Sequence, residues 1–307
     1  LPSAHQIFVI IYYFFIYCFF ILCGCNSDSS DSSVTDGSSN LIENSLTISN
    51  NLPQELNTNP DGSEIKSRIQ PPDGFNWVEE EEGSMGQFLQ NLKLKPSGSQ
   101  ILDYTGTPID NQSEHAAVLD IDVGDKNLQQ CADAVIRLRA EYLWHHNRQS
   151  EIAFHFTSGD LCRWEDYRDG VRPSITGNNV RFSKTATLDR SYANFRKYLN
   201  LVFTYAGTIS LDKETRRLGT DETLEPGDIL ITPGSPGHVV IIVGHAQNAN
   251  GKNIYLLAES YMPAQSIHIV TNPYNSSISP WYELKPTTDP VTTARYSFAT
   301  GNFRRFK

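Results

Sequence analysis

The chain has 307 residues, 39% of them hydrophobic and 20% charged, and a formal net charge of −10 at pH 7. That balance argues against nucleic acid or an anionic lipid surface as the main partner, because such partners call for basic stripes. The 15 Phe, 14 Tyr and 4 Trp supply enough aromatic surface for a sizeable core, and no internal repeat divides the chain into modules.

Residues Gln6–Leu22 are almost all apolar or aromatic. The run has the length of a signal-peptide core and is short for a membrane-spanning helix of about 20 residues. It leads into Leu22-Cys23-Gly24-Cys25, which resembles the lipobox of bacterial lipoproteins. The resemblance implies cleavage before Cys25 and a membrane attachment through lipid on its thiol. Asn26, rather than Asp, follows the cysteine, which points to the outer membrane within the cell envelope. Residues 26–67 are rich in Ser, Asn and Asp and bury too little apolar surface to offset their ordering entropy. The expected organisation is a signal peptide over 1–25, a flexible tether over 26–67 and one globular domain over 68–307.

Within that domain Ala116–Ile121 reads as a strand. A helix is predicted from Leu128 to Trp144, with Asn127 as its N-cap and an apolar stripe through Leu128, Cys131, Val135, Leu138 and Tyr142. Ile152–Phe156 reads as a strand. The segment 160–200 is polar and loop-rich, turning helical around Tyr192–Tyr205. Ile229–Thr232, Val239–Val243, Ile254–Glu259, Ile267–Val270 and Arg295–Phe298 read as strands. A helix ahead of a run of antiparallel-type strands predicts an α+β fold.

Cys18, Cys23 and Cys25 belong to the leader, so the domain keeps Cys131 and Cys162. The two could form a disulfide in an oxidising envelope. Alternatively Cys131 is a nucleophile: in the first turn of a helix the free amides and the macrodipole favour a thiolate. A base is available in His238, which follows the Pro/Gly-rich loop Pro233–Gly237 and opens a β-branched strand. The Cys131 N–H with the side-chain amide of Gln129 or Gln130 could make an oxyanion hole. A third residue should orient the imidazole, and Glu259 and Gln265 are both candidates. Glu141, His145, His146 and His155 could gather a zinc ion, but a solvated helix end is the better reading, so neither metal nor cofactor is expected.

The stretch Gly227–Gly244 resembles the His-bearing segment of the NlpC/P60 and CHAP cell-wall hydrolases, and Gln130-Cys131 resembles the Gln-Cys pair of CHAP domains. The resemblance implies a papain-like core with a helix-borne cysteine, an antiparallel sheet and action on an amide such as a peptidoglycan peptide. The Cys131-to-His238 separation is longer than those families use, which requires an insertion, assigned to 157–200. Across 68–307 the chain also resembles a lipoprotein family catalogued as domain of unknown function 4846. That likeness rests on Arg68–Gly74, Gln87–Leu92, Gln130–Tyr142, His155–Gly159 and Ala258–Gln265. It implies an envelope lipoprotein and brings no activity. The alternative to a hydrolase is a non-catalytic lipoprotein that binds a ligand or scaffolds a complex.

Overall fold

The computed structural model describes residues 56–299 and 302–307. The leader with Cys25, and the tether up to residue 55, lie outside the described residues. The helices are α1 (Ile65–Arg68), α2 (Met85–Gln90), α3 (Cys131–His145), α4 (Trp164–Arg168), α5 (Tyr192–Tyr205) and α6 (Thr208–Glu214). The first strands are β1 (Phe75–Trp77), β2 (His115–Val118), β3 (Ala153–His155), β4 (Leu161–Arg163), β5 (Val171–Thr176), β6 (Asn179–Lys184), β7 (Thr215–Arg217) and β8 (Ile229–Thr232). They are followed by β9 (His238–Asn248), β10 (Asn253–Glu259), β11 (His268–Val270), β12 (Trp281–Tyr282), β13 (Val291–Thr292), β14 (Ser297–Phe298) and β15 (Phe303–Phe306).

The fold is α+β. Its centre is a nine-stranded antiparallel sheet in the order β2-β11-β10-β9-β8-β15-β7, with β1 added along β9 and β12 along β10. β9 explains the sheet's place in the molecule. Val239, Ile241 and Val243 enter the core that holds α3, while Val240 and Ile242 enter a second core with Tyr255, Leu257, Val270 and Phe298. Successive strand residues point to opposite faces, so a strand covered on both sides is apolar at nearly every position. That is why 239–243 reads as a continuous run rather than as an alternation.

Three expectations shift. The helix begins at Cys131, not Leu128, because Gln130 is the N-cap. Segment 160–200 is largely ordered: it holds β4, α4, the β5–β6 hairpin and the first turns of α5. The cause is aromatic. Trp144 of α3 stacks on Phe195 of α5 at 4.4 Å, and Trp164 of α4 packs edge-on to Phe195 at 5.5 Å. The packed domain also begins ahead of residue 68. Thr58 bridges to Ile69, Ser67 Oγ accepts from the Glu64 N–H at 3.0 Å, and Ile65 is fully buried. One core isoleucine and its capping contacts order the end of a stretch whose composition reads as tether.

Ile65→Ala is expected to destabilise the domain by about 2–5 kcal/mol, the cost of emptying a closed apolar site. Urea unfolding measures this, and an unchanged midpoint would return residues up to 67 to the tether.

Candidate functional site

The segment ahead of α3 is fixed in a non-helical path. The Gln130 N–H donates to Asp133 Oδ2 at 3.0 Å, which closes the cap. Asn127, the expected cap, instead accepts from the Ala264 N–H at 2.8 Å. Ser260 Oγ lies 3.0 Å from the Gln129 carbonyl oxygen and 2.9 Å from that of Gln265. These contacts bind the approach to Cys131 onto the chain leaving β10, so Cys131 starts its helix at the end of the sheet where β10 stops at Glu259.

His238 opens β9 opposite Thr232 of β8. A Cβ on Gly237 would stand 2.7 Å from both the Thr232 and Gly234 carbonyl oxygens, so the turn into His238 needs glycine. The His238 ring is buried among Tyr261, Tyr296 and Phe298, with centroids at 5.0, 5.1 and 5.8 Å. Its Nε2 lies 2.8 Å from Glu259 Oε2. A carboxylate only accepts, so Nε2 carries the proton and Nδ1 is the basic nitrogen.

Glu259 is itself 2% exposed. It faces His268 across the β10–β11 pair, and its Oε1 lies 3.6 Å from His268 Nε2 and 4.0 Å from Arg295 Nε. Burial alone would raise this carboxyl, but the contacts from His238 and His268 outweigh it and hold the group at about 2. The strand alternation puts His238, Glu259 and His268 on the face of the sheet away from α3. Cys131 packs against the core on the other face, and the Glu259 charge acts on its thiol.

The thiol is not the thiolate that its helix position suggests. Burial pushes Cys131 up to about 11, the first-turn amides pull it back only in part, and Asp133 and Glu259 add to the rise. Asp133 is buried too, which pushes its carboxyl up to about 8, so at neutral pH it is mostly protonated. Among the described residues no hydrogen bond joins Cys131 Sγ to His238. Cys131 and Cys162 are both free thiols; Cys162 lies buried on β4 and its thiol is pushed up to about 12 by burial.

Of the amide candidates, Gln130 Nε2 donates to Asn127 Oδ1 at 3.2 Å, whereas Gln129 accepts at Oε1 from Arg137 Nη1 at 3.1 Å and keeps its Nε2 donor buried without a partner among the described residues. Gln265 makes no hydrogen bond to His238 among the described residues. It lines a cavity of about 660 Å³ together with Tyr261, Met262, Arg295, Glu114 and Asp103. Its Nε2 is buried without a partner among the described residues. Glu141 Oε1 accepts from Arg137 Nε at 2.6 Å and from Tyr192 Oη at 2.5 Å, and His146 Nδ1 lies 2.8 Å from the Tyr142 carbonyl oxygen. His155 pairs with Glu214. The Tyr192–Glu141 bond ties α5 to α3, His146 closes the end of α3, and His155–Glu214 ties β3 to α6. Sequence reasoning passed over His268, Tyr261 and Arg295; a histidine inside the apolar run Ile267–Val270 was the available signal.

Residues 65–305 match a family described as "Domain of unknown function (4846)". The chain belongs to that family. No curated protein and no solved structure matches it.

The Glu259 shift has a measurable consequence. A carboxyl lowered from 4.5 to about 2 on folding contributes stability that is complete above about pH 4.5 and disappears as pH falls through about 2. Glu259→Gln is expected to cost on the order of 2 kcal/mol at pH 7, with the gap to wild type closing between pH 4.5 and 2. Equilibrium unfolding of both chains across that range tests it; a gap independent of pH would mean that Glu259 carries no native charge.

Proposed function

We propose that this chain is an envelope-anchored cysteine hydrolase with a papain-like, NlpC/P60-type core, acting on an amide bond such as that of a cell-wall peptide. The observation that carries the reading is the His238–Glu259 pair, buried at the end of the sheet where the cysteine-bearing helix begins. A helix-borne cysteine, an antiparallel sheet and the inserted 157–200 segment between them support the core assignment.

The high thiol pKa selects the form of the mechanism. Cys131 rests as a thiol, so no thiolate–imidazolium pair stands ready. His238 Nδ1 takes the Sγ proton as sulfur bonds to the carbonyl carbon, while Nε2–H stays on Glu259 and the buried carboxylate stabilises the imidazolium. Backbone N–H groups at the start of α3 receive the oxyanion. Nδ1 returns the proton to the leaving amine, which departs and leaves a thioester. Water attacks the thioester, losing its proton to Nδ1, and releases the acid and the thiol. The cavity lined by Tyr261 and Gln265 is the substrate site on this reading; Tyr261 links it to His238, whose ring centroid lies 5.0 Å from that of Tyr261. The membrane anchor is the lipid at Cys25, and its support is the Leu22–Cys25 sequence. No helix among the described residues is long and apolar enough to cross a membrane.

The second reading is a non-catalytic lipoprotein that uses the cavity to hold a ligand or to scaffold a complex. The raised Cys131 thiol and its lack of a hydrogen bond to His238 favour it.

Treatment of the full chain with p-nitrophenyl acetate separates the two. The hydrolase reading expects an acetyl group on Cys131 and not Cys162 by peptide mass spectrometry, formed at least about a hundredfold more slowly in His238→Ala. Equal labelling in that variant, or none on Cys131 in wild type, sinks it. In chain recovered from its own cells, the same spectrum should show an N-terminal peptide starting at a diacylglyceryl Cys25; an uncleaved leader would remove the anchor.

A further inference from the structure

The least explained feature of the site is His268. It is fully buried, and a buried imidazole must have its ring nitrogens satisfied. Nδ1 lies 3.0 Å from the Ser266 carbonyl oxygen. A carbonyl only accepts, so Nδ1 bears a proton. Nε2 has no hydrogen-bond partner among the described residues, and neither does Glu259 Oε1, which faces it at 3.6 Å. With the Nδ1 proton committed, a bare Nε2 would set its lone pair against a carboxylate oxygen. The contact is attractive only if Nε2 also carries a proton.

We propose that His268 is a positioning residue for His238, acting through Glu259: its Nε2–H holds the carboxylate oxygen that His238 does not use. The inference rests on the hydrolase reading for its catalytic meaning. Glu259 is fixed from two strands, by His238 at the start of β9 and by His268 on β11. A carboxylate anchored at both oxygens cannot rotate, so Oε2 stays on the line that keeps His238 Nε2 protonated and Nδ1 free to accept a proton. The other ionisable groups around the pair are few. From β2, the His115 ring lies 6.2 Å from that of His268. Arg295 stands 4.0 Å from Oε1 but gives its Nε to Glu114 at 2.8 Å. Cys131, Tyr261 and Tyr282 also feel the Glu259 charge. None of these holds Oε1 as closely as His268.

The test uses the full-length chain labelled with ¹⁵N and reads histidine ring nitrogens by NMR, which does not depend on turnover. In wild type, His268 should be protonated at both nitrogens and His238 at Nε2. In His268→Leu, His238 should fall into a mixture of tautomers. His268→Gln, whose amide can donate to Oε1, should restore the Nε2–H form. Acetylation of Cys131 should drop roughly tenfold in the Leu variant and recover in the Gln variant. A neutral His268 ring in wild type overturns the proposal, as does a His238 tautomer indifferent to both substitutions. If the Leu variant does not fold, the wild-type ring state and the Gln variant decide. A wild-type chain that is never acetylated defeats the hydrolase reading, and the tautomer measurement still decides whether His268 positions His238.

Discussion

A carboxylate withdrawn from water at the end of a sheet is a costly object, and Glu259 is nearly fully buried. Leaving its charge unpaired would cost several kcal/mol. Three nitrogen-bearing side chains stand around it: His238 of β9, hydrogen-bonded at 2.8 Å, His268 of β11 at 3.6 Å and Arg295 at 4.0 Å. That convergence depends on register. The β10–β11 pairing sets Glu259 opposite His268, and a one-residue slip would turn the carboxylate toward the core that holds α3. The hairpin into β9 fixes the other arm, with Gly237 allowing the turn that delivers His238. Sheet pairing, turn chemistry and site electrostatics thus impose one joint constraint.

Burial is the main force on the thiol. Negative groups near a cysteine also disfavour its thiolate, and Asp133 and Glu259 add to the rise at Cys131. On the proposed hydrolase reading, such a thiol calls for a base that removes its proton during attack rather than for a nucleophile already ionised. Asp133 closes the helix cap by accepting from the Gln130 N–H, and burial pushes its own carboxyl up to about 8. The helix is held by its own ends, through Ser260 and Asn127 at Cys131 and through the Trp144–Phe195 stack at the other.

Much of this was legible from the residues. α5 and β8 occupy the spans that periodicity predicts, Tyr192–Tyr205 and Ile229–Thr232, because amphipathic spacing and β-branched runs report burial directly. His238 and Glu259 could both be singled out as candidates, and the structure brings their side chains to 2.8 Å. What the sequence could not give is the choice between Glu259 and Gln265 as partner, since that depends on which strand end lies beside β9. Local signals also misread the start of α3, where Asn127 has the chemistry of a cap but spends its oxygen on Ala264 across the fold. Segment 160–200 is polar by composition, yet Trp164 and Phe195 supply the few anchors that order it. His268 was hidden for the opposite reason: one polar residue in an apolar strand acquires meaning only from the carboxylate opposite.

In the proposed hydrolase, Cys131, His238 and Glu259 act as one unit, and residues that do so are strongly non-additive. The most direct measurement is a double-mutant cycle on the rate of Cys131 acylation, comparing His238→Ala, Glu259→Gln and the two combined. The combined variant is expected to lose little more than His238→Ala alone, because Glu259 works through that imidazole. Losses that simply multiply would mean that the two residues act independently, and the unit would not exist.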